Sequence, residues 1–206
     1  MKVVHLANQI AVVLAAGGAS TRLGTYKPLA TLKGRTLISW TLDIALGISP
    51  NVYILLKNRG QESLLKEALG ESSAKIIFDP PGGCTFPASL AQSLSNVPQD
   101  LIFLMGCDTP MLNPKLPLLL HERIGSSSAA VPVWPNGNIE PFAALYRKAS
   151  FPRAKTSSIH ELLKLMKVKH VKIEDLCINP ATFFKINSKE DLDIAGIMIQ
   201  MTSVST

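Results

Sequence analysis

Long apolar runs are missing from this chain of 206 residues: none reaches the ~18 that a membrane-crossing helix requires, so a soluble protein is expected. Charge is scarce too. Asp, Glu, Lys and Arg make up 17% of the residues against 47% hydrophobic ones, which excludes a disordered chain. Cysteine is rarer still. Cys84, Cys107 and Cys177 lie far apart and form no CxxC pair, which speaks against a disulfide framework and against a zinc site. His5, His121, His160 and His170 likewise lack metal-ligand spacing. With no internal repeat, low-complexity tract or linker, residues 1–206 are expected to form one domain.

What charge there is leans positive, with a net +6 and a pI near 9.3. Such a balance suits nucleic acid or a small polyanionic substrate. Lys164, Lys167, Lys169, His170 and Lys172 cluster without interleaved aromatics, as on a solvated basic face, and no nucleic-acid module is present. Arg22 and Lys27 differ, because they stand inside a glycine-rich segment. At the N-terminus, Lys2 and the apolar stretch ending in Leu14-Ala15-Ala16 mimic a secretory leader. His5, Asn8 and Gln9 interrupt it, and cleavage there would damage the glycine-rich segment, so a cytoplasmic protein is expected.

Short apolar runs alternate with amphipathic stretches, the pattern of βαβ units around a buried, mainly parallel sheet. Strands are predicted at 10–14, 52–56, 75–78, 101–105, 129–133, 139–146, 171–173 and 182–186. Helices are predicted at 36–46 with Gly47 as stop, 61–69 closed by Gly70, 88–94, after Pro114, up to Met166 and towards Gln200. Ser157 or Ser158 can cap the helix ending at Met166, and Asn187 or Ser188 the last one. The Pro135-Asn136-Gly137 turn lets 129–133 and 139–146 pair antiparallel.

The chemistry gathers at strand ends. Strand 10–14 runs into Ala15-Ala16-Gly17-Gly18-Ala19-Ser20-Thr21-Arg22-Leu23-Gly24-Thr25-Tyr26-Lys27-Pro28. Small residues let the backbone turn and approach a ligand, and the N–H groups of such a turn can cradle phosphate oxygens. Arg22 offers a planar fork and Lys27 a mobile point charge. The segment is neither a P-loop nor GxGxxG. Two basic residues at the strand exit weigh against a merely flexible loop. Strand 101–105 delivers Asp108 to its carboxyl end, where ligands gather in open α/β sheets. Asp108 could start a turn with Thr109-Pro110, but beside the glycine loop a lone carboxylate suits Mg²⁺ shared with substrate phosphates. Asp79, after strand 75–78, is either a nucleotide or metal contact or a turn residue.

Together these segments resemble the MobA-type molybdenum cofactor guanylyltransferases. The first is similar to their LAGGxSxRMGxDK signature, and Cys107-Asp108-Thr109-Pro110 to their CDxP. Glu140-Pro141-Phe142-Ala143-Ala144-Leu145-Tyr146 resembles (E/H)PLxALY, and Phe184-Lys185-Ile186-Asn187-Ser188-Lys189-Glu190-Asp191-Leu192 resembles FxNINTPEDL. The resemblance implies a three-layer, Rossmann-like α/β domain with a mostly parallel seven-stranded sheet and helices on both faces. It implies GMP transfer from GTP to molybdopterin phosphate with Mg²⁺, and leaves room for partners among cofactor-biosynthesis or acceptor proteins. On matching positions, the backbone of Ala15, Ala16 and Gly17 would contact the nucleotide, with Gly18 beside them. Lys27, helped by Arg22, would bind phosphates. Asp79 and Asn187 would face the GTP, and Asp108 both GTP and metal.

The sequence departs from that pattern at Tyr26, where an acidic residue is usual, and at Lys185, where the first Asn of NINT is usual. Leu56 stands where some members carry a GTP-contacting Asn, and 82–87 matches the GPLxG turn poorly. Lys27-Pro28-Leu29 and Asn187-Ser188-Lys189-Glu190-Asp191-Leu192 also look like adenosylcobinamide-phosphate guanylyltransferases. CTP-dependent relatives, and a nucleotide-binding protein without turnover, complete the alternatives.

Overall fold

In the computed structural model, which describes residues 2–18, 23–80, 85–151, 156 and 158–203, the chain folds around one seven-stranded sheet. The strands are β1 (Ile10–Ala15), β4 (Val52–Leu56), β5 (Lys75–Phe78), β6 (Leu101–Gly106), β7 (Ala129–Val133), β8 (Ala143–Arg147) and β9 (Val168–Lys172). A separate two-stranded ribbon is formed by β2 (Thr31–Leu32) and β3 (Arg35–Thr36). The main sheet runs in the order β5-β4-β1-β6-β8-β7-β9. Only β8 runs against its neighbours β6 and β7; the pairs β4–β5, β1–β4, β1–β6 and β7–β9 are parallel.

The central strands are apolar throughout because both faces are covered. Successive side chains of a strand point to opposite faces. Ile10, Val12 and Leu14 therefore enter one core with Phe103 and Met105, while Ala11 and Val13 enter the other with Ile102 and Leu104. Helices α2 (Leu37–Ile48), α3 (Arg59–Leu69) and α5 (Leu116–Ile124) cover the first core. Helices α4 (Phe86–Ser93) and α6 (Ile159–Lys164) cover the second. A smaller third cluster joins Leu23, Ala30, Leu32, Leu37 and Ile186 to Ala195 on α7 (Lys189–Ser203). Among the described residues no helix is long and apolar enough to cross a membrane.

Several predicted boundaries move for identifiable reasons. The N-terminal stretch read as leader-like forms α1 (Lys2–Gln9), and its end is the central strand β1. Helix α2 runs past Gly47, because Ile48 belongs to the core, and ends where the Ser49 hydroxyl meets the carbonyls of Ala7 and Ile10 at 2.8 and 2.7 Å. The strand predicted at 139–146 starts only at Ala143: Pro141 has no N–H to donate, and Glu140 turns its side chain inward. Residues 182–186 form no strand. Asn179 caps a 3-10 turn at Pro180–Phe183, and the backbone N–H of Ile186 then bonds to the Asp108 carbonyl at 2.9 Å.

Helix caps follow the sequence more closely. Ser158 caps α6 by accepting from the Glu161 N–H. At α7, Ser188 accepts from the Asp191 N–H at 3.2 Å while Asp191 accepts from the N–H groups of Asn187 and Ser188 at 2.8 and 2.9 Å. The Asn187 N–H, then that of Ser188, stabilises the Asp191 carboxylate and lowers its pKa despite some desolvation. A folded-state pKa below the unfolded value of about 3.9 means that this contribution is present above about pH 4 and fades as pH falls. Asp191→Asn should therefore lower the melting temperature at pH 7, with the gap to the parent narrowing towards pH 3.

Candidate functional site

In strand order, β1 stands between β4 and β6, so the chain leaves β1 towards β4 and β5 and later returns on its other side. Such a reversal opens a crevice at the carboxyl ends of the two strands, where ligands bind in open α/β sheets. A cleft of about 370 Å³ lies there. The strand ends Ala15 and Gly106 and the turn Gly17-Gly18 line it, together with Lys27, Asp79, Asp108, Lys185, Phe86 and Phe142.

Lys27 is the junction of the cleft. Its ammonium donates to Asp108 Oδ2 at 3.0 Å and to Asn187 Oδ1 at 2.8 Å. Pro28 sets a short 3-10 turn at Lys27–Leu29, closed by Leu29 N–H to Tyr26 O and Ala30 N–H to Lys27 O. Ala30 and Ile186 share the third apolar cluster, so the lysine and asparagine ends of this contact are anchored by the same packing. Asp108 is folded back over Gly106: a β-carbon at 106 would meet Asp108 Oδ1 inside van der Waals contact. The buried Cys107 thiol, desolvated and next to the Asp108 carboxylate, is pushed up to about 12 and stays protonated.

The glycine turn is braced from below. Ala16 is buried; its N–H is committed to the Leu55 carbonyl at 3.0 Å, and its carbonyl accepts the Tyr26 hydroxyl at 2.6 Å. Burial raises the Tyr26 pKa, with the Cys107 sulfur adding to the shift, so Tyr26 remains a donor. Gln61 bridges the turn to the start of α3: its amide donates to Gly17 O at 3.1 Å and accepts from Lys57 N–H at 2.7 Å. Gly17 is needed there, because an added β-carbon would come within 3.0 Å of the Lys57 backbone nitrogen.

Two further carboxylates belong to the rim. Asp79 Oδ1 accepts the Ser89 hydroxyl from α4. Glu140, 7% exposed, accepts the Trp134 indole N–H at 2.7 Å on Oε1 and pairs with Lys185 on Oε2. Lys27 and Lys185 thus share the cleft lining with Asp79 and Asp108, two positive charges with two negative ones among the described residues. A polyphosphate entering this wall brings more negative charge, and a divalent cation offsets it. Among the described residues no group of three or more His, Cys, Asp or Glu side chains could hold a metal ion. Asp108 alone could supply one oxygen to a hard divalent ion whose other oxygens come from phosphates and water.

Of the residues expected from sequence, Ala15, Gly17, Gly18, Lys27, Asp79 and Asp108 all line this cleft, and Asn187 joins it through Lys27. Ala16 supports the wall from beneath. Arg22 lies outside the described residues. Leu56 is fully buried in the first core, and Asn58 beside it caps α3 by accepting from Gln61 N–H. Sequence reasoning missed the brace of Gln61, the Ser89 contact and the aromatic wall of Phe86 and Phe142. No spacing rule marks them, since each depends on which helix the fold lays beside the cleft.

Tyr26→Phe removes the tie to Ala16 and leaves a buried carbonyl short of a partner. It is expected to cost about 1–3 kcal/mol of stability, read from urea midpoints, and to weaken nucleotide binding.

Comparison with known proteins shows the family and the fold. Residues 11–172 match the model of the MobA-like NTP transferase domain. The "Probable molybdenum cofactor guanylyltransferase" of Bacillus subtilis is 31% identical over 191 residues, covering 87% of this chain and 90% of that protein. A protein of the same description from Thermococcus sibiricus is 28% identical over 191 residues, covering 87% and 94%. Among solved structures, the molybdopterin-guanine dinucleotide biosynthesis protein A of Archaeoglobus fulgidus superposes with a TM-score of 0.78 at 22% identity, covering 93% of this chain and 99% of that one. That likeness speaks for the fold. With most of its length matched by the family model, the chain belongs to the MobA-like NTP transferase family.

Proposed function

We propose that this protein is a molybdenum cofactor guanylyltransferase, which moves GMP from GTP to the phosphate of molybdopterin and releases pyrophosphate. The observation that carries the reading is the Lys27 ammonium held between Asp108 and Asn187 at the mouth of the glycine turn. The glycine turn after β1, a carboxylate after β6 and an amide before α7 thereby meet in one place, an arrangement that suits phosphoryl chemistry on a nucleoside triphosphate.

The reaction is an in-line displacement. An acceptor phosphate oxygen forms a bond to the α-phosphorus of GTP. The bond from that phosphorus to the α–β bridging oxygen breaks, and pyrophosphate leaves with the electron pair. A phosphate monoester is largely ionised near neutral pH, with a second pKa of about 6, so no general base is needed. The protein supplies alignment and charge neutralisation.

In this reading the N–H groups of Gly17 and Gly18 face the phosphates, with Ala15 and Ala16 holding the turn. Asp79 contacts the nucleotide and Asn187 keeps Lys27 aimed. Lys27, with Arg22, neutralises charge on the departing pyrophosphate. Asp108 would hold Mg²⁺, which when bound draws negative charge from the α-phosphate and the leaving group. A GTP-dependent synthesis of this kind belongs in the cytoplasm.

Pyrophosphate release measured with GTP, ATP and CTP, each with molybdopterin and with adenosylcobinamide phosphate, tests the assignment. Turnover is expected for GTP with molybdopterin; preference for another pair would reassign the enzyme within its family. Binding without turnover on any acceptor would leave a nucleotide-binding protein. Asp108→Ala is expected to abolish metal-dependent transfer while the circular dichroism spectrum is unchanged. Lys27→Ala should weaken GTP binding about 10–100-fold, the worth of one charge-assisted hydrogen bond or more, with a much smaller effect on stability.

A further inference from the structure

We propose that Lys185 is the residue that receives the acceptor's phosphate, presented by Glu140 and Trp134; this rests on the guanylyl-transfer reading of the cleft. The placement follows strand order. Asp79 follows β5, the glycine turn follows β1, Asp108 follows β6, and Phe142 precedes β8, so these groups run across the cleft from one side to the other. A nucleotide on the glycine turn and Asp79 fills the β5–β1 side and brings its α-phosphorus towards Asp108. The attacking phosphate must then approach from the β8 side, where Lys185 lines the wall.

Lys185 is held in a way that suits this task. Glu140 is nearly enclosed, and each of its oxygens has a partner: the Trp134 indole N–H on one and the Lys185 ammonium on the other. Trp134 is itself set edge-on against the buried Phe183 ring, 5.8 Å between centroids. The carboxylate is therefore fixed, and it fixes the ammonium. The Lys185 side chain is 34% exposed against 9% for Glu140, so the pair buries its acid and presents its base. An ammonium carries three N–H donors and Glu140 takes one.

Phe86 and Phe142, with ring centroids 5.3 Å apart, stand on the same cleft wall. They give that wall an apolar surface for the body of an acceptor, and the lysine on the same cleft suits the phosphate it carries. Asn at position 185 could donate a hydrogen bond but adds no charge. With lysine there, the site favours an acceptor that arrives as a phosphate dianion.

Steady-state transfer separates the two substrates. Lys185→Asn is expected to raise the acceptor KM about tenfold or more, as loss of a charge-assisted hydrogen bond does, with the GTP KM within about twofold. Lys185→Arg should restore part of that loss. Glu140→Gln should raise the acceptor KM while leaving the GTP KM in place, as expected of a positioning residue. An unchanged acceptor KM in Lys185→Asn, or equal movement of both KM values, overturns the proposal.

A second readout does not depend on turnover. The protein is first saturated with Mg²⁺ and a GTP analogue whose α–β bridge is methylene. Tryptophan fluorescence is then followed while phenyl phosphate is added. The expected result is a saturable change that is absent in Trp134→Phe, which assigns it to Trp134, and lost in Lys185→Asn. No response in the parent protein, or the same response in Lys185→Asn, contradicts the role. If the parent transfers to no acceptor, the guanylyltransferase reading fails, and this titration still decides whether Lys185 receives a phosphate.

Discussion

One ammonium group connects everything that matters in this cleft. Lys27 reaches a carboxylate 81 residues away and an amide 160 residues away, and each contact is possible only if a different part of the fold is in place. Asp108 arrives because β6 pairs with β1 in parallel register, Ala15 beside Gly106. Asn187 arrives because Ile186 is buried and bonded to Asp108's own carbonyl, while Ser188 and Asp191 cap the helix that follows. Both side chains of the Lys27–Asp108 pair are about one-fifth exposed, enough for substrate to reach them and little enough for their charges to act at reduced screening.

That junction also divides the cleft. On one side the glycine turn has its carbonyls tied down by Tyr26 and Gln61, which leaves a rigid surface for phosphates. On the other, a buried glutamate holds a lysine in a cleft that Phe86 and Phe142 also line. Two lysines and two carboxylates line the described wall, and a divalent cation entering with a triphosphate offsets its negative charge. On the proposed reading, specificity for the acceptor and affinity for the donor rest on different residues.

Much of this was legible in the sequence where local chemistry and tertiary role coincide. The strands at 52–56, 75–78 and 129–133 appear with the predicted bounds, and the first and fourth gain one residue each, because short apolar runs between turn residues leave little ambiguity. Lys27, Asp79 and Asp108 could be picked out because each stands beside a strand end at which an α/β sheet gathers ligands. Legibility failed where a residue serves a neighbour distant in sequence. Residues 182–186 look like a strand by composition, but their backbone serves Asp108 rather than a ladder. Tyr26 and Lys185, read as departures from the family pattern, turn out to have built roles: one ties the turn, the other partners a buried acid. Gln61 and Ser89 carry no mark at all, since glutamine and serine are common on any helix.

The central claim is direct guanylyl transfer at the cleft that Lys27 organises. It is tested most directly by a single turnover with enzyme in excess over GTP labelled at the α-phosphate, in the presence of Mg²⁺ and molybdopterin. The account predicts that the label passes into the dinucleotide product and never onto the protein. Label remaining in GTP would contradict transfer, and label trapped on the protein would contradict direct displacement.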